Sequence, residues 1–174
     1  MNYNFTKGKF TEEELEKAII ELYTKQGYTY VCGEDMHRKY EDILLLDDLR
    51  SYLTLCYSKD GLSDTEMQKI INKLNLINAT PLYFGNREAF RLVNEGFDLT
   101  RDDFSKVALH IDYINYDEPD KNIFKIVNQY SVQGEHLRRP DMLLFINGIP
   151  VAIFEFKTAI EEDTTIFDAW KQIT

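Results

Sequence analysis

Apolar positions recur at helical spacing through the first half of the chain. Behind Thr11 and Glu14, which stand at capping-box spacing, Leu15, Ile19, Leu22 and Tyr23 fall on one stripe that Gly27 closes. Residues 28–31 read as a short extended entry. A second helix is predicted over 41–57, where Ile43, Leu46, Leu49, Leu53 and Cys56 keep the period. Ser63 with Glu66 opens a third that runs through Leu74 and ends before Pro81. Asn86 caps a fourth over 87–95, closed by Gly96. The pattern then changes to strands at 107–114, 122–132, 141–146 and 151–157, followed by a helix over 161–172 with Ile166, Ala169, Trp170 and Ile173 inward. The acidic turn Asp117-Glu118-Pro119-Asp120 lacks calcium-loop spacing and reads as solvated. These elements predict one mixed α/β domain over 1–174. A central mixed sheet is flanked by helices, with a helical elaboration over about 35–100 and a core over 105–174.

The densest chemistry lies between Pro140 and Lys157. Asp141 opens one apolar run, Asn147-Gly148 is a strong two-residue hairpin signal, and the next run ends in Glu155-Phe156-Lys157. Side chains alternate along a strand, so Glu155 and Lys157 share one face and Phe156 takes the other. A hairpin closed at Asn147-Gly148 brings Asp141 across from Glu155. Two carboxylates and an ammonium then meet at one end of a sheet, a donor set suited to Mg²⁺. Such an ion polarises a phosphodiester and activates water, while Lys157 orients or deprotonates the nucleophile. An isolated E-x-K is ordinarily a surface ion pair. Here Val151 to Phe154 is apolar without alternation, as in a strand buried on both faces, and buried charges demand partners.

Composition bounds the function. At 174 residues and 44% hydrophobic, the chain can bury an ordinary core. No apolar run is long enough to span a membrane and no signal peptide is visible, so a cytoplasmic location is expected. Cys32 and Cys56 form no metal or disulfide pattern and read as buried thiols, and His37, His110 and His136 show no zinc spacing. No glycine-rich phosphate loop is present, so ATP is not bound here in that manner. The net charge of −10 argues against unaided duplex binding, since cationic side chains supply most DNA affinity. The exception is a local basic group, His136, Arg138, Arg139 and Lys157, sufficient to touch one scissile strand.

Pro140-Asp141 followed by Glu155-Phe156-Lys157 resembles the PD-(D/E)xK nuclease signature. The longer stretch from Phe124 to Val132, then Arg138-Arg139-Pro140-Asp141, then Leu144 to Val151, is similar to the N-terminal nuclease domain of the type I restriction enzyme R subunit. The opening segment from Thr11 to Ile20 also resembles that family; resemblance is weak over 35–85. It implies Asp141 and Glu155 as metal ligands, Lys157 as a catalytic residue, and Gln172 as the first residue of a Q-x-x-x-Y motif whose tyrosine falls two positions past Thr174. The backbone carbonyl of Phe156 is a further candidate ligand, and Glu16 is the candidate additional acid on the first helix, with Glu12, Glu13 and Glu14 as competitors. Gln129 is read either as a support for the carboxylates or as a strand polar residue satisfied by backbone or water, and Trp170 as core rather than a base-stacking ring.

The expected function is Mg²⁺-dependent cleavage of double-stranded DNA. The resemblance couples cutting to ATP-driven translocation by motor domains absent from this chain, in complex with methylation and specificity subunits. The chain is accordingly expected to be a fragment of a longer protein. The alternatives are a different PD-(D/E)xK nuclease and a catalytically silent docking module of the same fold. The acidic charge favours the docking module. The pairing of two carboxylates at a strand end, with its mutual repulsion, argues against it.

Overall fold

The computed structural model describes residues 11–79 and 81–157. In chain order its elements are α1 (Glu12–Lys25), β1 (Thr29–Cys32), α2 (Leu46–Cys56), α3 (Asp64–Asn75), α4 (Leu82–Glu95), β2 (Phe97–Leu99), β3 (Leu109–Ile111), β4 (Phe124–Asn128), β5 (Val132–Gln133), β6 (Leu137–Arg138), β7 (Met142–Ile146) and β8 (Ile149–Phe154). They fall into two compact units. Among the described residues, one takes those up to Ile43, Phe124–Phe145 and 150–157; the other takes Leu44–Ile123 and the hairpin tip Ile146–Ile149. The helix predicted over 161–172, with Trp170 and Gln172, lies outside the described residues.

The first unit carries a four-stranded sheet in the order β1-β4-β7-β8. β1 runs parallel to β4, with Thr29 opposite Lys125 and Cys32 opposite Asn128. The end of β4 meets the start of β7, where the Gln129 N–H donates to the Asp141 carbonyl at 3.2 Å, so this pair is antiparallel. Asn147 and Gly148 join β7 to β8 with φ of 53° and 77°. Both are left-handed, as a two-residue hairpin turn of the favoured hand requires. The sheet is therefore mixed. α1 begins in the predicted capping box: the Glu14 N–H donates to Thr11 Oγ1 at 3.2 Å and the Thr11 N–H to Glu14 Oε2 at 3.0 Å. Its packed face is Ile19, Ile20 and Tyr23, set against Ile126, Met142, Leu144 and Phe156. Leu15 and Leu22, predicted on that stripe, are exposed instead.

Two strand expectations need correction. β8 is not buried on both faces: it is the last strand of the described sheet, and Val151 and Ile153 on one face are 43% and 51% exposed. β4 stops at Asn128 rather than continuing to 132, because Gln129 turns the chain with φ of 52°.

The second unit packs α2 and α3 through Leu49, Tyr52, Leu53, Ile70 and Ile71, joined by Leu92, Leu99, Ile111, Tyr113 and Ile149. β2 and β3 form an antiparallel ladder, so β3 pairs with β2 and not with the β4 that follows it. α2 starts at Leu46, not at 41. The Asp42 and Ile43 carbonyls that a longer helix would use accept from the Tyr130 hydroxyl instead. α4 starts at Leu82 behind Pro81 and includes Asn86 inside the helix, while Gly96 closes it with φ of 64°, as predicted. The α3 capping box of Ser63 and Glu66 is formed, and Glu66 also receives the buried Arg101 Nε at 2.8 Å.

The hairpin tip belongs to this second unit and ties its two ends. The Leu45 N–H donates to the Gly148 carbonyl at 2.9 Å. The Ile123 N–H donates to Asn147 Oδ1 at 2.7 Å, and the Asn147 N–H returns a bond to the Ile123 carbonyl at 2.8 Å. The fully buried Asn147 also donates to the Tyr113 carbonyl at 2.8 Å. No helix among the described residues is long and apolar enough to cross a membrane.

Candidate active site at the end of the mixed sheet

The ladder of β8 ends at Phe154, and a side chain takes over there. The Phe156 N–H donates to Asp141 Oδ2 at 2.6 Å, which holds the start of β7 beside the end of β8. Phe156 turns into the apolar cluster under α1, so strand alternation turns Glu155 and Lys157 the other way. The Glu155 side chain is only 6% exposed, and Lys157 Nζ stands 3.4 Å from its Oε1. Asp141, Glu155, Phe156 and Lys157 are thus brought together. Gln172 lies outside the described residues.

Glu16 reaches the same end of the sheet from α1. It sits one turn ahead of Ile19 and Ile20 on the packed face, and its Oε1 accepts from Asn128 Nδ2 at 2.6 Å. Asn128, the last residue of β4, in turn accepts from the Tyr30 hydroxyl at 3.1 Å. Of the competing acids, Glu14 is engaged in the capping box and Glu13 with Lys17 at 2.5 Å, in solvent. Asn128 is the residue sequence reasoning missed. Gln129 was the candidate support for the carboxylates, but it leaves the strand in the left-handed region and lines a separate polar cleft. A buried amide at a strand end, one position ahead, carries the hydrogen bond.

The donor set fits a hard divalent cation. Asp141 and Glu155 bring two carboxylates to one strand end, Glu155 in contact with Lys157 and almost wholly removed from water. The Lys157–Glu155 contact is longer than the roughly 2.7–2.9 Å of a closed charged hydrogen bond, so the pair does not saturate the carboxylate. No cluster of three or more His, Cys, Asp or Glu capable of holding a metal occurs among the described residues. Two carboxylates are the kind of donor Mg²⁺ takes, since it keeps several waters and one or two protein carboxylates. Cys32 and Cys56 are free, half-buried thiols rather than the buried thiols expected.

Of the local basic group, Arg138 and Arg139 border a pocket of about 440 Å³ that Glu155 also lines, with apolar walls from Tyr130, Leu143 and Ile153. Arg139 pairs with Glu34 at 3.2 Å, both side chains more than half exposed.

Residues 9–174 match the family described as type I restriction enzyme R protein N terminus. Among similar proteins, the endonuclease subunit of a type I restriction enzyme from Staphylococcus saprophyticus is 29% identical over 151 residues, covering 84% of this chain and 15% of its own length. The corresponding subunit from Staphylococcus aureus strain MSSA476 is 27% identical over the same length, with the same coverage. The HindI endonuclease subunit of Haemophilus influenzae is 19% identical over 173 residues, covering 92% of this chain and 16% of its own length. The chain thus spans about 15% of the length of the curated relatives it matches.

Proposed function

Because the chain belongs to the family of type I restriction enzyme R protein N-terminal regions, we propose that it is the nuclease domain of such an endonuclease subunit, with a PD-(D/E)xK fold, and that it hydrolyses phosphodiester bonds of double-stranded DNA with Mg²⁺. The observation that carries the reading is the Asp141–Phe156 bond at 2.6 Å, which sets Asp141 beside Glu155 and Lys157 at one sheet end.

In this reading Asp141 and Glu155 would hold the cation through carboxylate oxygens, with the Phe156 carbonyl as a third protein ligand. When bound, such an ion would supply charge stabilisation at the phosphate and make a coordinated water more acidic. Lys157 orients the attacking water and meets the negative charge that develops on the phosphoryl oxygens. Glu16, held by Asn128, adds a further acid at the margin of the site, and Gln172 supports Lys157 or a phosphate. The work of the protein is to keep these groups fixed and partly dry, where their electrostatics count most. In the whole enzyme, cutting follows ATP-driven translocation by domains outside this chain. It takes place in the cytoplasm, within a complex with methylation and specificity subunits.

The test uses the full-length subunit in that complex. Asp141→Ala, Glu155→Ala and Lys157→Ala should each abolish DNA cutting while ATP hydrolysis and translocation continue. A variant that cuts at the parent rate removes its residue from the mechanism.

A further inference from the structure

We propose that a polar cleft beside the candidate site binds the phosphodiester backbone of the DNA strand next to the bond being cut, with Lys39 and Arg139 as its phosphate contacts. The inference rests on the nuclease reading above and supplies what the acidic composition left open, a cationic track within this chain.

The cleft, about 720 Å³, is walled by residues that include His37, Arg38, Lys39, Tyr40, Gln129 and Arg139. It is built by bringing the segment after β1 against the exit of β4. The turn at Gly33–Asp35 starts this approach, and a Cβ on Gly33 would stand 2.7 Å from the Asn128 and Gln129 carbonyl oxygens, so only glycine allows it. Arg38 then fastens the segment. One guanidinium nitrogen donates to the Ser131 carbonyl, the other to the Lys39 and Asp42 carbonyls at 3.0 and 3.1 Å, and the group lies 3.4 Å from the Tyr130 ring centroid. With Arg38 spent on structure, the neighbouring Lys39 is exposed and its ammonium makes no ion pair with a described residue.

The cleft adjoins the chain segment that leads into Asp141. Gln129 bonds Asp141 through the backbone at 3.2 Å, and Arg139 lies two positions before Asp141. Arg38, Lys39 and Arg139 face Glu34 and Glu41 there, a formal surplus of one positive charge in a chain of net charge −10. The Arg139–Glu34 pair is solvent-exposed, and such pairs contribute little, so a phosphate can replace the carboxylate. Neutral donors on Gln129 and Ser131 add the hydrogen bonds that typically position a phosphate backbone. The ring of Tyr40, 53% exposed on the same wall, offers a stacking surface for a base of that strand. Cations, neutral donors and one exposed ring are the combination a nucleic-acid strand requires.

The test compares Lys39→Ala and Arg139→Ala with Lys17→Ala, which removes the same charge from the solvent face of α1. All are made in the full-length subunit in its complex. Each cleft variant should cut about tenfold more slowly at physiological salt, recover at low salt, and lose about one unit of the log–log salt dependence, as expected for one phosphate contact. Lys17→Ala should match the parent. Acylation footprinting of Lys39 on the parent, with and without duplex DNA, gives a local readout: protection supports the cleft. Parent-like cutting by both cleft variants at every salt, together with an unprotected Lys39, overturns the inference. Parent-rate cutting by Asp141→Ala sinks the nuclease reading instead, and the Lys39 footprint still decides the cleft.

Discussion

Asp141 has two duties that a pair of substitutions separates. Its Oδ2 accepts the Phe156 N–H, and its carboxylate supplies half of the acid proposed to hold the cation. Asp141→Asn keeps an acceptor of the same reach but removes the charge. Replacing a charged acceptor by a neutral one costs about 1 kcal/mol, and the relief of repulsion with Glu155 offsets part of that. Asp141→Ala removes the acceptor and leaves the N–H of the buried Phe156 unpaired, for about 1–3 kcal/mol in addition. At roughly 2–4 °C per kcal/mol for a chain of this size, the cation-free Asn variant should melt within about 3 °C of the parent, and the Ala variant several degrees lower. Mn²⁺, which shares the oxygen preference of Mg²⁺ and binds such sites more tightly, isolates the second duty. At about a hundred times its Kd it should add about 2.7 kcal/mol to the parent, or roughly 5–11 °C, and nothing to either variant. The assay is thermal melting with and without Mn²⁺, backed by calorimetric titration of about one ion per chain. An Asn variant that gains as much from Mn²⁺ as the parent would refute the role of Asp141 as a ligand.

Two further predictions concern the second unit. The Arg101 guanidinium holds the buried Glu66 carboxyl down to about 2, helped by N–H groups of Ser63 and Asp102, so this group stabilises the fold above the ordinary glutamate range and loses that contribution as pH falls toward 2. Arg101→Met should cost about 3–5 kcal/mol in urea unfolding at neutral pH, and adding Glu66→Met should restore much of it; a single variant as stable as the parent would mean the pair is not buried as described. Gly148→Ala places a Cβ against the Leu45 carbonyl at a left-handed φ of 77°, and urea unfolding should show a loss of at least about 1–3 kcal/mol. An unchanged midpoint would mean the tip does not clamp that segment.

How much of this was legible in the sequence differs from element to element. The hairpin was legible because Asn147-Gly148 fits a turn that demands two left-handed residues, and the capping boxes at Thr11 and Ser63 because their partners lie three residues away. The convergence of Asp141 with Glu155 followed from that turn plus strand alternation. What failed to show was set by distant partners. The Tyr130 hydroxyl, far along the chain, takes the carbonyls that would have extended α2. The exposed face of β8 depends on its place at the edge of the described sheet, which no local apolar run reveals. Asn128 looked like an ordinary strand residue until α1 brought Glu16 to it across 112 positions. The three residues of β2 are too short to carry a period at all.

The tie at the hairpin tip also bears on how the sheet can be assembled. Parallel pairing of Thr29 with Lys125 must close a loop of about 95 residues, and closure entropy grows with the logarithm of loop length. Once the second unit is folded, Leu45 and Ile123 are both held at Asn147 and Gly148, and the long loop becomes a short one. Three halvings of the effective length lower the closure cost by about 2 kcal/mol. The inserted unit thus lowers the entropic cost of pairing β1 with β4, whereas Asp141 and Glu155 meet through the short β7–β8 hairpin alone.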